Sequence, residues 1–472
     1  LLYLVLALFA LAVVCFVRPH LGMLIVVAAG FLQDPLRKLV PGEPVALVLV
    51  SLGLYGAVVA GLAAAGAFRQ VIASRFGGSF QGPVALFLVL VALQSLHLFV
   101  RTGSVVLPAL GFVSYAAPIV AGAVGFILGL RRDRLLRFLR VYSWWGLGAA
   151  ATVLVSRYFP DAAIFRSVGK GLTVYGEDLQ VRLSSGILRT PEVAAWHAAT
   201  TGCVLLILLS LGKLERRRRN SLLLGAAGLV IVVLAVIWTG RRKALVEIVL
   251  FAIVFAVLSM GLKGGNRRLL AVLVLGGALL SYQLIEGRWA AGTSREAAYL
   301  IQRGGTTTSE GTTRLGGALS SVTSALRSYG ILGVGAGAAA QGSQHFAGAG
   351  SVRWEAEFGI GRIVAELGLA GLVLVTWLVT ALAGALRRRL RSVMREDPET
   401  SRLALGLVAL LAANAAVFIT AAQVFGDPFV YLTLGTLAGS LAGLLEAKRS
   451  RALVRPTEDF GVAPEPVPAG LR

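Results

Sequence analysis

The chain reads as an all-α polytopic membrane protein, with about 12–13 transmembrane helices and a large loop domain on its outer face. Three observations lead there. Of 472 residues, 57% are hydrophobic and only 14% charged, and the mean hydropathy is +0.80, outside the range of soluble domains. Apolar runs long enough to cross a hydrocarbon core of about 30 Å recur along the whole sequence. The segments between them carry arginine and lysine mainly on alternate turns, as the positive-inside rule requires.

The runs fall near residues 1–17, 21–32, 45–66, 83–100, 105–130, 138–156, 192–212, 221–239, 244–262, 269–285, 362–386, 403–425 and 428–445. The first is followed at once by another and lacks a small-residue cleavage pattern, so a span is expected there and not a cleavable signal peptide. The second is short for a span. Arg131, Arg132, Arg134 and Arg137 then share the inner face with Lys213 and Arg216–Arg219, with Lys263, Arg267 and Arg268, and with Arg387, Arg388, Arg389 and Arg391. The tail from Lys448 also falls inside, and its Pro-rich end, Pro456 to Arg472, reads as disordered. The resulting organisation is N-terminal spans in 1–156, an outer loop at 157–191, and central spans in 192–285 with an outer turn at 240–243. A large outer loop at 286–361, C-terminal spans in 362–445 and a tail at 446–472 complete it.

A net charge of +22 would suggest nucleic acid in a soluble protein. Here most of it sits in short loops, where it sets topology and meets anionic membrane lipids, so no nucleic-acid partner is expected. Cys15 and Cys203 lie inside apolar runs and the four histidines have no ligand spacing, so neither a disulfide nor a metal site is expected. There is no dinucleotide fingerprint and no phosphate loop, and no cofactor is expected.

Basic residues left on the outer face need another explanation. Arg241-Arg242-Lys243 lies in a tight hairpin between two runs whose far flanks are both basic, which puts the tripeptide outside, against the charge bias. Paired guanidinium groups at the headgroup level suit a phosphate or pyrophosphate. Arg189 precedes Pro191, a residue that suits the first turn of the following span, so its guanidinium is expected at the outer boundary, on such an anion or on lipid headgroups.

Within 286–361, Leu315, Leu319, Val322 and Leu326 recur at helical spacing, while Arg314, Ser320, Thr323, Ser324 and Arg327 fall elsewhere. That pattern predicts an amphipathic helix at the headgroup level. Gly330 to Gly342 reads as a loop, either letting backbone approach a ligand or serving as a flexible linker. Gly368 to Gly371 and Gly435 to Gly439 have the spacing of helix packing. Glu355 and Glu357 enter the span near Arg362, and a carboxylate beside apolar surface suits a general base; plain solvation is the alternative, and His345 is the competing base. Arg362 and Glu366 are i,i+4 neighbours whose salt bridge would support burial of the carboxylate. Trp289, Tyr299 and Trp354 have the amphipathic side chains that anchor a membrane interface. His197, beside Trp196, reads as packed or hydrogen-bonded.

The segment Arg314 to Gly337, leading to Gly-Val-Gly-Ala-Gly and followed by Glu366-Leu367-Gly368-Leu369-Ala370-Gly371 at a span start, resembles the O-antigen polymerase and O-antigen ligase superfamily. The turn Thr239-Gly240-Arg241-Arg242-Lys243-Ala244 is similar to that superfamily's outer turn, and Arg189-Thr190-Pro191 to an arginine that precedes another of its spans. The resemblance covers roughly residues 180–375. It implies a GT-C-like, inverting glycosyltransferase of the bacterial cytoplasmic (inner) membrane, with its site facing the periplasm or exterior. The implied donor is an undecaprenyl-pyrophosphate-linked glycan, used without a metal or nucleotide sugar. Arg189, Arg241 and Arg242 would bind the pyrophosphate, and Glu357, Glu355 or His345 would act as base. Arg362 and Glu366 would support them, with Arg314, Trp289, Tyr299 and Trp354 on the glycan. The ligases tend to carry a histidine about nine positions before Glu-x-Gly-x-x-Gly; Glu357 stands there in this chain. This favours a polymerase of repeat units over a ligase serving a lipid A core or protein acceptor. A glycan acceptor and a chain-length regulator protein are the further implied partners. A transporter or flippase of lipid-linked glycans would need the same cations. It should also show charged or Gly/Pro-broken helices at mid-membrane and repeat symmetry between halves, neither of which the sequence makes evident.

Overall fold

The computed structural model describes residues 2–166, 168, 173–175, 180–211, 218–260, 299, 307–339, 357–393 and 397–454. The expected span 269–285 and Trp289, His345, Trp354 and Glu355 lie outside the described residues. The helices are α1 (Leu2–Val17), α2 (Pro19–Leu39), α3 (Val50–Ala64), α4 (Phe68–Ala73), α5 (Arg75–Thr102), α6 (Val106–Gly129) and α7 (Arg132–Val155). They continue with α8 (Pro191–Leu211), α9 (Arg218–Trp238), α10 (Arg242–Met260), α11 (Thr307–Tyr329), α12 (Gly359–Val393), α13 (Pro398–Thr420) and α14 (Pro428–Val454). Among the described residues, 10 helices are long and apolar enough to cross a membrane, with Tyr3–Val17 and Leu223–Trp238 as shorter apolar helices. The architecture is that of a helical multi-pass membrane protein. One small addition is an antiparallel hairpin in the 157–191 segment, β1 (Thr173–Tyr175) and β2 (Gln180–Arg182).

Several boundaries follow from capping chemistry. Asp397-Pro398 and Asp427-Pro428 open α13 and α14: proline supplies a residue with no amide to satisfy, and the aspartate accepts the next ones. Asp397 Oδ1 accepts from the amides of Glu399 at 3.0 Å and Thr400 at 3.2 Å. Asp427 Oδ1 does the same for Phe429 at 2.8 Å and Val430 at 3.1 Å. The short run expected at 21–32 is in fact the 21-residue α2. Its last turns are polar in sequence yet buried, because Gln33 Oε1 accepts from the Ser51 amide at 3.3 Å and Lys38 Nζ donates to the carbonyls of Gly186 at 3.0 Å and Leu188 at 2.7 Å. Hydropathy ends there; the helix does not.

Cross-bundle contacts define two ends. At one, Arg132 pairs with Glu399 at 2.6 Å, Arg389 with Glu446, and Arg402 reaches the Ser210 carbonyl at 3.4 Å. At the other, the loop end, Arg241 pairs with Glu192 at 2.5 Å, Lys38 holds the 186–188 carbonyls, and the Glu357 carbonyl accepts from the Ala422 amide at 2.8 Å. Along the bundle α6 and α14 meet on a seam of small residues, where a Cβ on Gly439 would strike the Gly122 backbone and one on Gly125 the Thr436 backbone. The Gly435–Gly439 spacing is therefore helix packing, as expected.

Gly368 is not. It breaks α12 with φ 70° and ψ −169°, a conformation that costs any residue with a Cβ. The segment 330–339 runs into the break and supplies its missing hydrogen bonds. The Leu369 amide donates to the Ile331 carbonyl at 2.9 Å, Val334 to Ala365 at 2.7 Å and Gly335 to Glu366 at 3.1 Å. On the far side the Ala336 amide donates to the Gln94 carbonyl at 3.2 Å, and Gln94 Nε2 to the Leu332 carbonyl at 2.8 Å. At Gly335, φ is 114° and a Cβ would lie 2.7 Å from Leu98 Cβ. In its described part, up to Ala339, the loop is thus neither a linker nor an open ligand cradle: Gly333 and residues 335–339 are buried between α5, α6 and α12.

The helix expected here forms as α11, and its small residues face the bundle. Ala318, Ser321 and Ala325 are buried and Val322 and Leu326 half-buried, whereas Leu315 and Leu319 are 53% and 63% exposed. Small side chains let α11 approach α12 closely, and its large leucines point away from the bundle. Substituting Gly368→Ala is expected to destabilise the protein by about 2–4 kcal/mol, from the left-handed backbone plus the clash with the Ile331–Leu332 backbone. Gly384→Ala, in the same helix, would meet only the flexible Arg388 side chain at 3.5 Å and should be neutral. Thermal unfolding of the two variants in one detergent checks this; equal midpoints would mean that α12 is not broken.

Candidate functional site

A cleft opens at the loop end between α8, α10, α13 and the 3-10 turn Gln423–Gly426, and it is lined by Glu192, Trp196, Arg241, Lys243, Glu247 and Gln423 among others. The turn from α9 to α10 builds its rim. Gly240, with φ 63°, reverses the chain, and Thr239 Oγ1 donates to the Val236 carbonyl at 2.6 Å. Arg241 thereby faces Glu192 in the first turn of α8, with both side chains 26% exposed. Lys243 is close enough to Arg241, Arg314, Glu192 and Glu357 for all four charges to act on it. Glu357 lies 3.8 Å from Arg314, each 43% exposed. Three cations and two carboxylates therefore gather at and beside the mouth, from α8, the turn into α10, α10 itself, α11 and the residues just before α12. Arg242, in the same turn, is half-buried.

Arg189 does not line this cleft. Instead of hanging at a boundary it is 8% exposed, its guanidinium paired with the buried Asp427 and its main-chain amide donating to Asp34 Oδ2 at 2.9 Å. A guanidinium so deep is tolerable only with a carboxylate against it. Asp427 thus caps α14 with one oxygen and holds Arg189 with the other. The only hint in the sequence was a pair of aspartates, Asp34 and Asp427, at the borders of apolar runs.

Arg362 and Glu366 form the expected i,i+4 pair at 3.5 Å, with side chains 9% and 0% exposed. Glu366 does more than pair: Tyr115 donates its hydroxyl to Oε2 at 2.5 Å, and the Ala339 amide donates to Oε1 at 2.8 Å. Its carboxylate therefore ties α6, α12 and the inserted loop together. Tyr299 packs half-buried against Val181 and Leu183 beside Trp238. His197 is buried and hydrogen-bonded, as expected, with Nδ1 2.9 Å from the Tyr142 hydroxyl and its ring stacked on Phe429.

One group was missed. Glu247, 1% exposed, lies inside α10 at the floor of the cleft. Oε1 accepts from Thr200 Oγ1 at 2.9 Å and from Asn414 Nδ2 at 3.1 Å. The signal was available, since an acid within an apolar run is costly and marks a specific role.

The chain matches no known protein-family model and no curated protein. Arg189→Ala is expected to lower stability by about 3–5 kcal/mol, because it leaves Asp427 buried without its counter-charge. Its thermal midpoint should fall without any added ligand. An unchanged midpoint would mean that Arg189 is held for an anion and not for the fold.

Proposed function

We propose that this protein polymerises undecaprenyl-pyrophosphate-linked oligosaccharide repeat units by metal-independent inverting glycosyl transfer at the outer face of a bacterial cytoplasmic membrane. The observation that carries the reading is the gathering of Arg241, Lys243 and Arg314 with Glu192 and Glu357 at one mouth. Positive-inside bias supports the sidedness, since the end holding Arg132, Arg389 and Arg402 would face the cytoplasm. A GT-C-like arrangement with an outer loop domain is part of the same proposal.

In this reading the acceptor hydroxyl attacks the donor's anomeric carbon opposite the pyrophosphate. The new C–O bond forms as the bond to the phosphate oxygen breaks, and the electron pair leaves on the pyrophosphate. Cations fixed in advance where that charge develops lower the barrier most. Arg241, Arg242 and Lys243 fill this role, with Glu192 holding the Arg241 fork in place. Glu357 takes the acceptor's proton, and Arg314 orients its carboxylate. Arg189 leaves the pyrophosphate set, because its guanidinium serves Asp427.

A second reading has gained an observation. α12 is broken by a glycine and Glu247 is buried inside a span, features expected of a transporter of lipid-linked glycans. Proteoliposomes loaded with lipid-linked repeat units separate the two: longer glycans supports polymerisation, and movement of the donor between leaflets without lengthening overturns it.

Glu357→Gln should lower turnover by about 10²–10⁴ while donor binding persists. Arg241→Lys keeps the charge but loses the bidentate fork, and a roughly tenfold to hundredfold loss is expected, against little change for Arg132→Lys at the opposite end. Normal polymer output from both Glu357→Gln and Arg241→Lys would remove the site from the mouth. For sidedness, cysteines at the two ends of α7, Tyr158→Cys and Asp133→Cys, can be treated with an impermeant thiol reagent in intact cells. Labelling at the first alone is expected, and the reverse pattern would invert the topology.

A further inference from the structure

The whole cleft from Arg241 and Lys243 down to Glu247 encloses about 30 Å³, room for one or two waters and too little for a sugar ring or a phosphate, which would have to sit outside it against the rim. Its floor is Glu247, five residues into α10 and hence about 7–8 Å below Arg242 along the helix axis. Trp196 Nε1 donates to Asn414 Oδ1 at 2.7 Å, which fixes the Asn414 amide so that its Nδ2 faces the Glu247 carboxyl. With Thr200 this gives Glu247 Oε1 two donors. Oε2 is buried and has no hydrogen-bond partner among the described residues.

Neither protonation state is fully served by these neighbours. An ionised carboxyl would have one oxygen without a donor in apolar surroundings, and a protonated one would have a hydroxyl without an acceptor. A water in the cleft completes either: it donates to the bare oxygen or accepts from the hydroxyl. No cation closes the account locally, for the surrounding elements offer few charges. Tyr142 on α7 and Cys203 on α8 are the titratable groups near it inside the bundle. Glu192 on α8 and Arg241 and Lys243 at the start of α10 stand at the mouth. In the described parts of α13 and the 3-10 turn that face the cleft the polar groups are the neutral Asn414 and Gln423, and α9 has no titratable residue beyond Arg219.

We propose that Glu247 is a proton-binding site inside the membrane-spanning bundle, exchanging its proton with solvent at the loop end through the water-sized cleft under Arg241 and Lys243. The step is a simple transfer: the carboxylate gains a proton from a cleft water, whose replacement comes from the mouth, and returns it by the same route. This site stands whether or not the protein transfers sugar.

Dicyclohexylcarbodiimide tests it on the full chain in lipid nanodiscs. A protonated carboxyl in apolar surroundings adds across the reagent's C=N bond, and the adduct rearranges to a stable N-acylurea that peptide mass spectrometry locates. Labelling of Glu247 is expected, falling by about tenfold per pH unit above its titration point. Infrared difference spectra between acid and alkaline buffer should show a protonated-carboxyl C=O band that Glu247→Gln, which keeps the side-chain shape, removes. A protonated-carboxyl band that is absent or does not change with pH, or labelling that does not change with pH, overturns the proposal, and the wild-type profile decides this even if the variant fails to fold. Protection by sodium at constant pH would also overturn it, in favour of a metal-cation site.

Discussion

Backbone amides and carbonyls enclosed by apolar helices have no water to turn to, and each must find its partner within the protein. At Gly368 this constraint governs much of the architecture. Breaking α12 frees several backbone groups in the bundle, and the segment 330–339 is the piece of chain that takes them up, donating to Ala365 and Glu366 and accepting from Leu369. The segment brings its own unpaired groups, which Gln94 and the Glu366 carboxylate satisfy. Glu366 in turn is kept by Arg362 and Tyr115. Break, loop and buried carboxylate therefore form one arrangement; none of the three is tolerable without the others. Its position also sets the start of α12 and so the place of Glu357 at the cleft mouth.

Cations at the loop end divide by what surrounds them. Arg189, Arg362 and Lys38 are buried, and each is committed to groups of the fold itself: a carboxylate, another carboxylate and two carbonyls. Arg241 and Arg314 are partly open, with carboxylate partners that solvent still reaches. A partner that remains accessible can be exchanged for a ligand at modest cost, whereas one that is buried cannot. This difference in burial separates the arginines committed to the fold from those left open to a ligand, which their order along the chain does not.

Much of the fold was legible because span length and alternating basic turns are local signals. The end of α2 was not, since Gln33, Asp34 and Lys38 look like a loop until the groups that bury them are known. The face by which α11 packs on the bundle was not legible for a related reason: hydrophobic periodicity marks the leucines, while the small residues Ala318, Ser321 and Ala325 make the contact. At the site, Arg241 could be singled out from topology alone, and the pairing of Arg362 with Glu366 from spacing. The partner of Arg189 lies 238 residues away, beyond any local pattern. Glu247 was hidden in a run read only for its hydropathy.

That long separation bears on how the protein is made. Asp427 opens α14, so Arg189 leaves the ribosome well before its counter-charge is synthesised. At about 5–20 residues per second the interval is on the order of 10–50 s. Asp34, 155 residues upstream, is already present and binds the same residue through its amide, alongside Lys38 on the adjoining carbonyls. The early aspartate is placed to shelter the arginine during that wait, and the arrival of Asp427 closes the bundle around it. Insertion of α14 is then the step that commits the nascent chain to its final form, and a chain that stops short of Asp427 would carry a buried charge still waiting.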